Sequence, residues 1–219
     1  MSSSEKLRVL YLQGYRQNEH VCREKTGSLR KILKKHCELV YITAPNVIPD
    51  HENDKELTGW WFSRADQSYL AQEVTECCDG FEKSLDVIAE ALREQGPFDG
   101  IISFSQGASM LSLVCSLKES GDPRFQDFGF AVFIAGFKSR QTGHQPHYDR
   151  HVSIPSLHVI GDTDKVIPRE MSDEMLELYD DKVVVRHPGG HFIPTTSQIK
   201  KTYLDFFKPF FDAKNSSPS

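Results

Sequence analysis

The chain has 219 residues, of which 38% are hydrophobic and 26% charged, and its formal net charge is -5. These values are typical of a globular domain with a substantial core, and they exclude a disordered chain. The acidic balance gives no electrostatic reason to expect nucleic acid as a partner, and no apolar stretch reaches the ~20 residues of a membrane span. We expect one domain over residues 1–219, with an ordered core from 6 to 211. The polar N-terminus and the Ser-rich C-terminal tail are expected to be disordered.

The start of the chain and its cysteines predict the compartment. Residues 1–6 are polar and lack the apolar segment of a signal peptide. The five cysteines are an odd number without C-x-x-C spacing, which is typical of reduced packing residues in a cytosolic protein. We therefore expect a cytoplasmic location, with the nucleus as a second compartment. No feature of the sequence predicts an oligomeric state.

Apolar runs rich in β-branched residues alternate with segments of helical period in the first half of the chain. In chain order, the predicted elements are a strand at 7–12, a helix over 23–36, a strand at 38–42, a polar loop that ends in the aromatic cluster Trp60, Trp61 and Phe62, and a helical region over 66–95. The aromatic cluster has two interpretations. It forms either a small core beneath the loop or an apolar wall that binds the substrate, since ligand sites are mostly apolar.

The segment 98–108 joins an apolar strand to a helix through a serine. The strand ends at Ser105, and two small residues, Ser103 and Gly107, lie two positions before and after it. This pattern is nearly the G-x-S-x-G nucleophile elbow, in which the strand and helix backbones almost touch. The alternative is a structural turn, because a strand, a small-residue turn and a helix follow one another in many α/β proteins.

The second half of the chain continues the alternation. In chain order, the predicted elements are a helix after Ser105, strands at 129–134 and 156–160, a helix over 169–179, a strand at 182–186 and a helix over 195–211. Strands that are apolar on both faces and alternate with helices predict a parallel sheet covered on both sides. The expected fold class is α/β, with about six mostly parallel strands and helices on both faces.

Polar residues directly follow three of the predicted strands. Ser105 ends the third strand, and His191 follows the sixth. Asp162 and Asp164 follow the fifth, and Asp164 is preferred because hydrolases commonly place the acid three residues after the glycine that ends this strand. Ligands bind at the carboxyl ends of parallel strands, and the order Ser–Asp–His is that of α/β-hydrolases. We predict Ser105 as nucleophile, His191 as its base and Asp164 as the carboxylate that orients the imidazole.

Two backbone N–H groups are predicted to stabilise the oxyanion of the tetrahedral intermediate. The first belongs to Gln106, which follows the nucleophile at the positive end of its helix. The second is expected in the loop after the first strand, where Gly14 permits a turn and the N–H of Tyr15 is the predicted donor. The alternative for Gly14 is an ordinary glycine at the end of a strand.

Several strings of the sequence resemble the FSH-type family of serine hydrolases, which belongs to the α/β-hydrolase superfamily. The likeness covers residues 7–45, 59–62, 96–108, 156–168 and 189–194. It implies a minimal three-layer hydrolase fold without a large cap domain, and it implies the same roles for Ser105, Asp164 and His191. The sequence departs from the family at Ser103, where glycine is usual. We expect the extra hydroxymethyl group to press on the helix of the elbow and to reduce activity.

No metal site is predicted from the histidines. His144, His147 and His151 lie in a segment with glycine, proline and no helical pattern, so we expect an exposed loop. His187 and His191 are separated by a proline and two glycines, which excludes the helical H-x-x-x-H spacing of zinc ligands. His187 is therefore predicted to end its strand.

The predicted activity is hydrolysis of small carboxylic esters through an acyl-enzyme intermediate, without a metal or organic cofactor. The expected substrate is uncharged and carries an apolar chain of medium to long length. No basic cluster at the predicted strand ends calls for an anionic substrate, although Arg16 is placed to contact one. Two alternatives remain open: an acyl-thioesterase or protein deacylase with the same triad, and a ligand-binding module with a hydrolase fold and slow turnover.

Overall fold

The computed structural model describes residues 4–49 and 56–216. Within these ranges the strands are β1 (Leu7–Leu12), β2 (Cys37–Tyr41), β3 (Asn46–Val47), β4 (Thr58–Gly59), β5 (Gly100–Phe104), β6 (Ala131–Ile134), β7 (Ser156–Gly161) and β8 (Lys182–His187). The α-helices are α1 (Glu19–Lys25), α2 (Gly27–Leu33), α3 (Phe81–Gln95), α4 (Gln106–Glu119), α5 (Arg169–Leu176) and α6 (Ser197–Ser216). Short 3-10 helices lie at Pro123–Phe125 and Thr142–Tyr148.

Six strands form one sheet in the order β2-β1-β5-β6-β7-β8. Every neighbouring pair in it is parallel. The strand that leads to Ser105, β5, therefore lies between β1 and β6 near the middle of the sheet. The strands β3 and β4 form a separate antiparallel ribbon that is not predicted from the sequence, because two-residue strands show no periodicity.

Each face of the sheet carries its own apolar core, because neighbouring residues of a strand point to opposite faces. On one face, Leu10 and Ile101 belong to a core that includes α3 and α4. On the other face, Val9 and Ile102 belong to a core that includes α2 and α6. Helices thus cover both sides, and no large cap domain is present in the described part of the chain. The predicted α/β architecture of about six parallel strands with helices on both faces is confirmed.

The predicted helical region over 66–95 is wrong in its first half, because α3 begins only at Phe81. Asp66 Oδ1 instead accepts hydrogen bonds from the backbone N–H and the hydroxyl of Ser68, at 3.0 and 2.6 Å. Gln67 and Gly80 both have positive φ, 61° and 85°, which a right-handed helix does not allow. The aspartate turn and the glycine are the local signals that end the helical pattern here.

The first and last predicted helices also differ from the structure. The segment predicted as one helix over 23–36 contains the end of α1 and all of α2, which meet at Thr26. Thr26 turns its hydroxyl back to the Cys22 carbonyl oxygen at 2.7 Å. The last helix, α6, continues past the predicted end at 211. The expected disorder beyond residue 211 is wrong for residues 212–216, which belong to α6, and Asn215 Nδ2 donates to the carbonyl oxygen of Glu5 at 3.0 Å. The remaining residues of the termini, 1–3 and 217–219, lie outside the described ranges. No α-helix in those ranges is long and apolar enough to cross a membrane.

Candidate active site

Ser105 lies on a sharp turn between β5 and α4. Its φ of 56° and ψ of -120° are rare for any residue with a side chain, and such strain is found mainly at functional sites. The turn is held by the N–H of Ser105, which donates to the Ile134 carbonyl oxygen at 3.0 Å. This geometry matches the strand-to-helix turn that presents a nucleophile above a parallel sheet.

The two small residues beside Ser105 meet different surroundings. A Cβ built on Gly107 would lie 2.5 Å from the Leu12 carbonyl oxygen and would also overlap that of Gln13, so only glycine fits where α4 passes β1. Ser103 is buried, and its hydroxyl donates to the Val132 carbonyl oxygen at 2.8 Å. The polar atom of Ser103 is therefore satisfied by strand β6, which argues against the expected pressure of this side chain on the helix.

The predicted catalytic side chains meet at the carboxyl edge of the sheet. His191 Nε2 lies 2.9 Å from Ser105 Oγ, and His191 Nδ1 lies 2.7 Å from Asp164 Oδ2. A carboxylate can only accept, so Nδ1 carries the proton that it donates to Asp164. Nε2 is then the acceptor for the serine hydroxyl. Asp162, the rejected acid, is exposed on the same loop.

The loop after β7 holds Asp164 in one orientation. Its side chain is 2% exposed. Oδ1 accepts the backbone N–H groups of Val166 and Ile167, both at 2.9 Å, which leaves Oδ2 for His191. Burial by itself would raise the pKa of Asp164, but the hydrogen bonds from His191, Ile167 and Val166 outweigh it and lower the pKa below the ordinary value. The carboxylate is therefore ionised at neutral pH.

The two backbone N–H groups predicted as oxyanion donors stay a prediction. Within the described ranges, no hydrogen bond engages the backbone N–H of Gln106 or of Tyr15. Gln106 opens α4, where N–H groups point out of the helix at its positive end. The loop of Tyr15 is held nearby because Trp60 Nε1 donates to the Gln13 carbonyl oxygen at 2.8 Å.

Comparison with known proteins decides the family. The model of the family described as "Serine hydrolase (FSH1)" matches residues 1–203. The chain belongs to this family. The chain is 45% identical over 215 residues to Esterase OVCA2 of Xenopus tropicalis, with 93% of each protein covered. It is 40% identical over 225 residues to Esterase OVCA2 of Homo sapiens, with 96% of this chain and 99% of that protein covered.

Solved structures agree on the fold. The crystal structure of Arabidopsis thaliana SOBER1 superimposes with a TM-score of 0.61 at 13% identity, covering 94% of this chain and 99% of that one. At this identity the likeness concerns the fold alone. Together with the family match, these findings confirm the prediction of a serine esterase in an α/β-hydrolase fold.

The aromatic cluster of this esterase lies inside the core. Trp60 and Trp61 are 0% exposed, and Phe62 is also buried. Trp60 Nε1 donates to Gln13 as described, and Trp61 Nε1 donates to Gln141 Oε1 at 3.0 Å. None of the three lines the cavity beside Ser105. The interpretation as a substrate wall is therefore wrong, and the cluster packs the core and supports the oxyanion loop.

A cavity of about 420 Å³ opens beside Ser105 and His191. Its remaining lining consists of Gly14, Tyr15, Gln17, Lys25, Phe104, Phe192 and Ile193. The ring of Phe104 lies against the His191 imidazole, with centroids 4.9 Å apart. Phe192 and Ile193 directly follow the predicted base, and that position was the sequence signal that could have identified them. Gln17 carries a similar signal, because it lies in the loop after β1. Lys25 has no such signal, because only the fold brings the end of α1 to this edge.

The histidines at 144, 147 and 151 lie in different surroundings. His144 is 1% exposed rather than in an exposed loop, because it packs on the Phe81 ring with centroids 4.1 Å apart. His147 is half-buried, and His151 is exposed beside Asp180. Among the described residues, no group of three or more His, Cys, Asp or Glu could hold a metal ion. His187 ends β8, as predicted.

Proposed function

We propose that this protein is a carboxylesterase that uses Ser105, His191 and Asp164 as a catalytic triad. The observation that carries the proposal is the hydrogen-bonded relay, 2.7 Å from Asp164 to His191 and 2.9 Å from His191 to Ser105. A serine hydroxyl is a poor nucleophile until a neighbouring base takes its proton, and the relay places such a base within reach. Membership of a serine hydrolase family supports the same chemistry.

The reaction follows from this geometry. As Ser105 Oγ attacks the ester carbonyl carbon, His191 Nε2 takes the hydroxyl proton. Asp164 stays ionised and stabilises the imidazolium, while the N–H groups of Gln106 and Tyr15 donate to the oxyanion. The intermediate then collapses, and the alkoxide leaves with the proton from Nε2. Water repeats the sequence on the acyl-enzyme and releases the acid.

The proposed substrate is an ester with an apolar chain of medium to long length. The side chains of Phe104, Phe192 and Ile193 give the cavity beside the nucleophile an apolar lining. Phe192 is half exposed, so the cavity mouth can bind an alkyl chain that extends beyond the cavity. The same triad can also hydrolyse an acyl-thioester, so the substrate test must include thioesters.

The nucleophile is tested by labelling with a fluorophosphonate probe. We expect the wild type to label and Ser105→Ala not to label. The variant should also lose on the order of 10⁶-fold in turnover, which is the usual effect of removing a triad serine. Activity of Ser105→Ala near that of the wild type would assign the nucleophile elsewhere. A wild type that fails to label would favour the slow-turnover binding module.

The substrate class is tested with nitrophenyl esters of increasing acyl length beside acyl-thioesters of the same acids. We expect kcat/KM to rise from short to medium chains, because each added methylene that is buried contributes ~0.8 kcal/mol. A preference for thioesters at every length would replace the esterase proposal with a thioesterase.

A further inference from the structure

One wall of the cavity beside Ser105 carries a positively charged side chain. Lys25 is the last residue of α1 and lines the same cavity as Ser105 and His191. Within 4–49 and 56–216, its ammonium group makes no ion pair or side-chain hydrogen bond. Arg23, two residues earlier on the same helix, is by contrast paired with Glu19 at 3.6 Å. Lys25 is therefore available to a charged group of the substrate.

Gln17 supplies a second donor on this wall. It is 4% exposed, and its Oε1 accepts from Cys22 Sγ at 3.2 Å. Its backbone carbonyl oxygen accepts from Gln13 Nε2 at 2.6 Å and from the Thr58 N–H at 3.0 Å, so the residue is fixed in place. With Oε1 bound to Cys22, the amide Nε2 has no hydrogen-bond partner among the described residues. Gln17 lines the cavity, so this N–H is placed to donate to a ligand there.

Gly14 leaves the space in front of this donor open. A Cβ at Gly14 would lie 3.2 Å from Gln17 Nε2 and 3.0 Å from the Phe104 ring. Any side chain at this position would therefore narrow the space between the Phe104 ring and the Gln17 amide. The glycine allows a ligand to contact both.

We propose that Gln17 and Lys25 bind an anionic group of the substrate, in the simplest case a carboxylate. An amide N–H and an ammonium group both donate, and a carboxylate has two oxygens that can accept from them together. The apolar surfaces of Phe192 and Ile193 would contact the methylenes between the ester and this group. The inference rests on the proposed function, and it replaces the expected uncharged ester with an ester whose chain ends in a negative charge.

A matched pair of substrates tests the charge alone. In 4-nitrophenyl hexanoate the acyl chain ends in a methyl group, and in mono-4-nitrophenyl adipate a carboxylate replaces that methyl. The measured quantity is the ratio of kcat/KM for adipate to kcat/KM for hexanoate, after subtraction of spontaneous hydrolysis. We expect the wild-type ratio to exceed one and to fall as salt is added, because ions screen a partly exposed charge pair.

Substitutions of Lys25 test the assignment. We expect Lys25→Met to lower the ratio about tenfold, Lys25→Glu to lower it further by repulsion, and Lys25→Arg to retain most of it. Lys25 is exposed at a helix end, so these variants should fold. The matched control is Lys31→Met, an exposed lysine of α2 outside the cavity, which should behave as the wild type on both esters.

A substitution of Gln17 tests the second donor. Gln17→Glu keeps an oxygen for Cys22 but replaces the amide N–H with a carboxylate oxygen. We expect the ratio to fall at least as far as in Lys25→Met, with thermal unfolding measured beside it to verify the fold.

The outcomes separate this inference from the proposed function. If the ratio is the same in wild type, Lys25→Met and Lys25→Glu while Ser105 still labels, the anion site is refuted and the esterase stands. If neither ester is hydrolysed and Ser105 does not label, the proposed function is refuted and this inference is refuted with it.

Discussion

Replacing Asp164 with asparagine exchanges one carboxylate oxygen of the Asp164–His191–Ser105 relay for an NH₂ group and leaves the side chain in the same place. In the wild type, Oδ1 accepts two backbone N–H groups at 2.9 Å, from Val166 and Ile167, and Oδ2 accepts from His191. In Asp164→Asn the two backbone donors must still meet an oxygen, so the amide NH₂ replaces Oδ2. The NH₂ group then donates to His191 Nδ1, which must become an acceptor.

This reversal disables the base. A neutral imidazole with an accepting Nδ1 carries its proton on Nε2, so Nε2 donates to Ser105 Oγ and cannot take the hydroxyl proton. The imidazolium of the transition state also loses its ionised partner. Loss of the correct tautomer and of this charge in a Ser-His-Asp triad typically lowers kcat by about 10⁴, or ~5 kcal/mol of barrier.

The assay compares kcat for 4-nitrophenyl hexanoate at neutral pH in wild type, Asp164→Asn and Asp162→Asn. Asp162 lies two residues away on the same loop and is exposed, so its variant matches the change in charge and sequence context. We expect Asp162→Asn to retain kcat within about twofold. Thermal unfolding should show that both variants fold, because Asp164→Asn keeps the two backbone hydrogen bonds of its loop.

A decrease of less than tenfold in folded Asp164→Asn would refute the tautomer argument. An equal loss in Asp162→Asn would show that the loop charge, and not the hydrogen bond to His191, is responsible.

Three further predictions concern other positions. Gly107→Ala should lower kcat by ~10²–10³, because the added methyl group would push the β1 loop and its Tyr15 N–H away from the elbow, and kinetics beside thermal melting measure this. Ser103→Gly should lower the free energy of unfolding in urea by roughly 1–2 kcal/mol and leave kcat within about twofold, because a buried hydrogen bond is lost and a flexible residue is gained. Burial, together with His147, lowers the pKa of His144 to about 4, so the unfolded chain takes up the proton first as pH falls. His144 should therefore contribute a decrease of up to about 3 kcal/mol in the free energy of unfolding between pH ~6.5 and 4. His144→Gln should remove this contribution.

Each of these predictions has a contradicting result. Wild-type kcat in Gly107→Ala would mean that the β1 loop adjusts without moving its N–H. A large rise of kcat in Ser103→Gly would mean that the hydroxymethyl group does hinder the elbow. An unchanged slope of stability against pH in His144→Gln would mean that this imidazole is not buried in the neutral form.

The sequence predicts the sheet and the positions of the three proposed catalytic residues because both depend on local pattern. Continuous apolar runs identify buried parallel strands, and the carboxyl ends of such strands lie at one edge of the sheet whatever the details of packing. Residues that directly follow those runs, such as Ser105, Asp164 and His191, are therefore brought to that edge by topology alone.

The burial of individual side chains and the lining of the cavity could not be predicted from local sequence pattern in this way. Trp60 and Trp61 look the same in the sequence whether they face a substrate or a core, since both environments are apolar. His144 is buried because the distant Phe81 packs against it. These contacts join residues that are far apart in the sequence, so the local sequence pattern around either residue does not predict them.

The nature of this protein as a serine hydrolase with an α/β sheet was thus determined by its sequence, through strand periodicity and the residues at strand ends. Only the tertiary structure decided what lies around the nucleophile. In the tertiary structure the Ser103 hydroxyl bonds to β6, the two tryptophans are buried in the core and Lys25 lies at the cavity. The physical reason is that a strand end has a position set by the sheet, whereas the neighbours of a side chain are set by how separate elements pack.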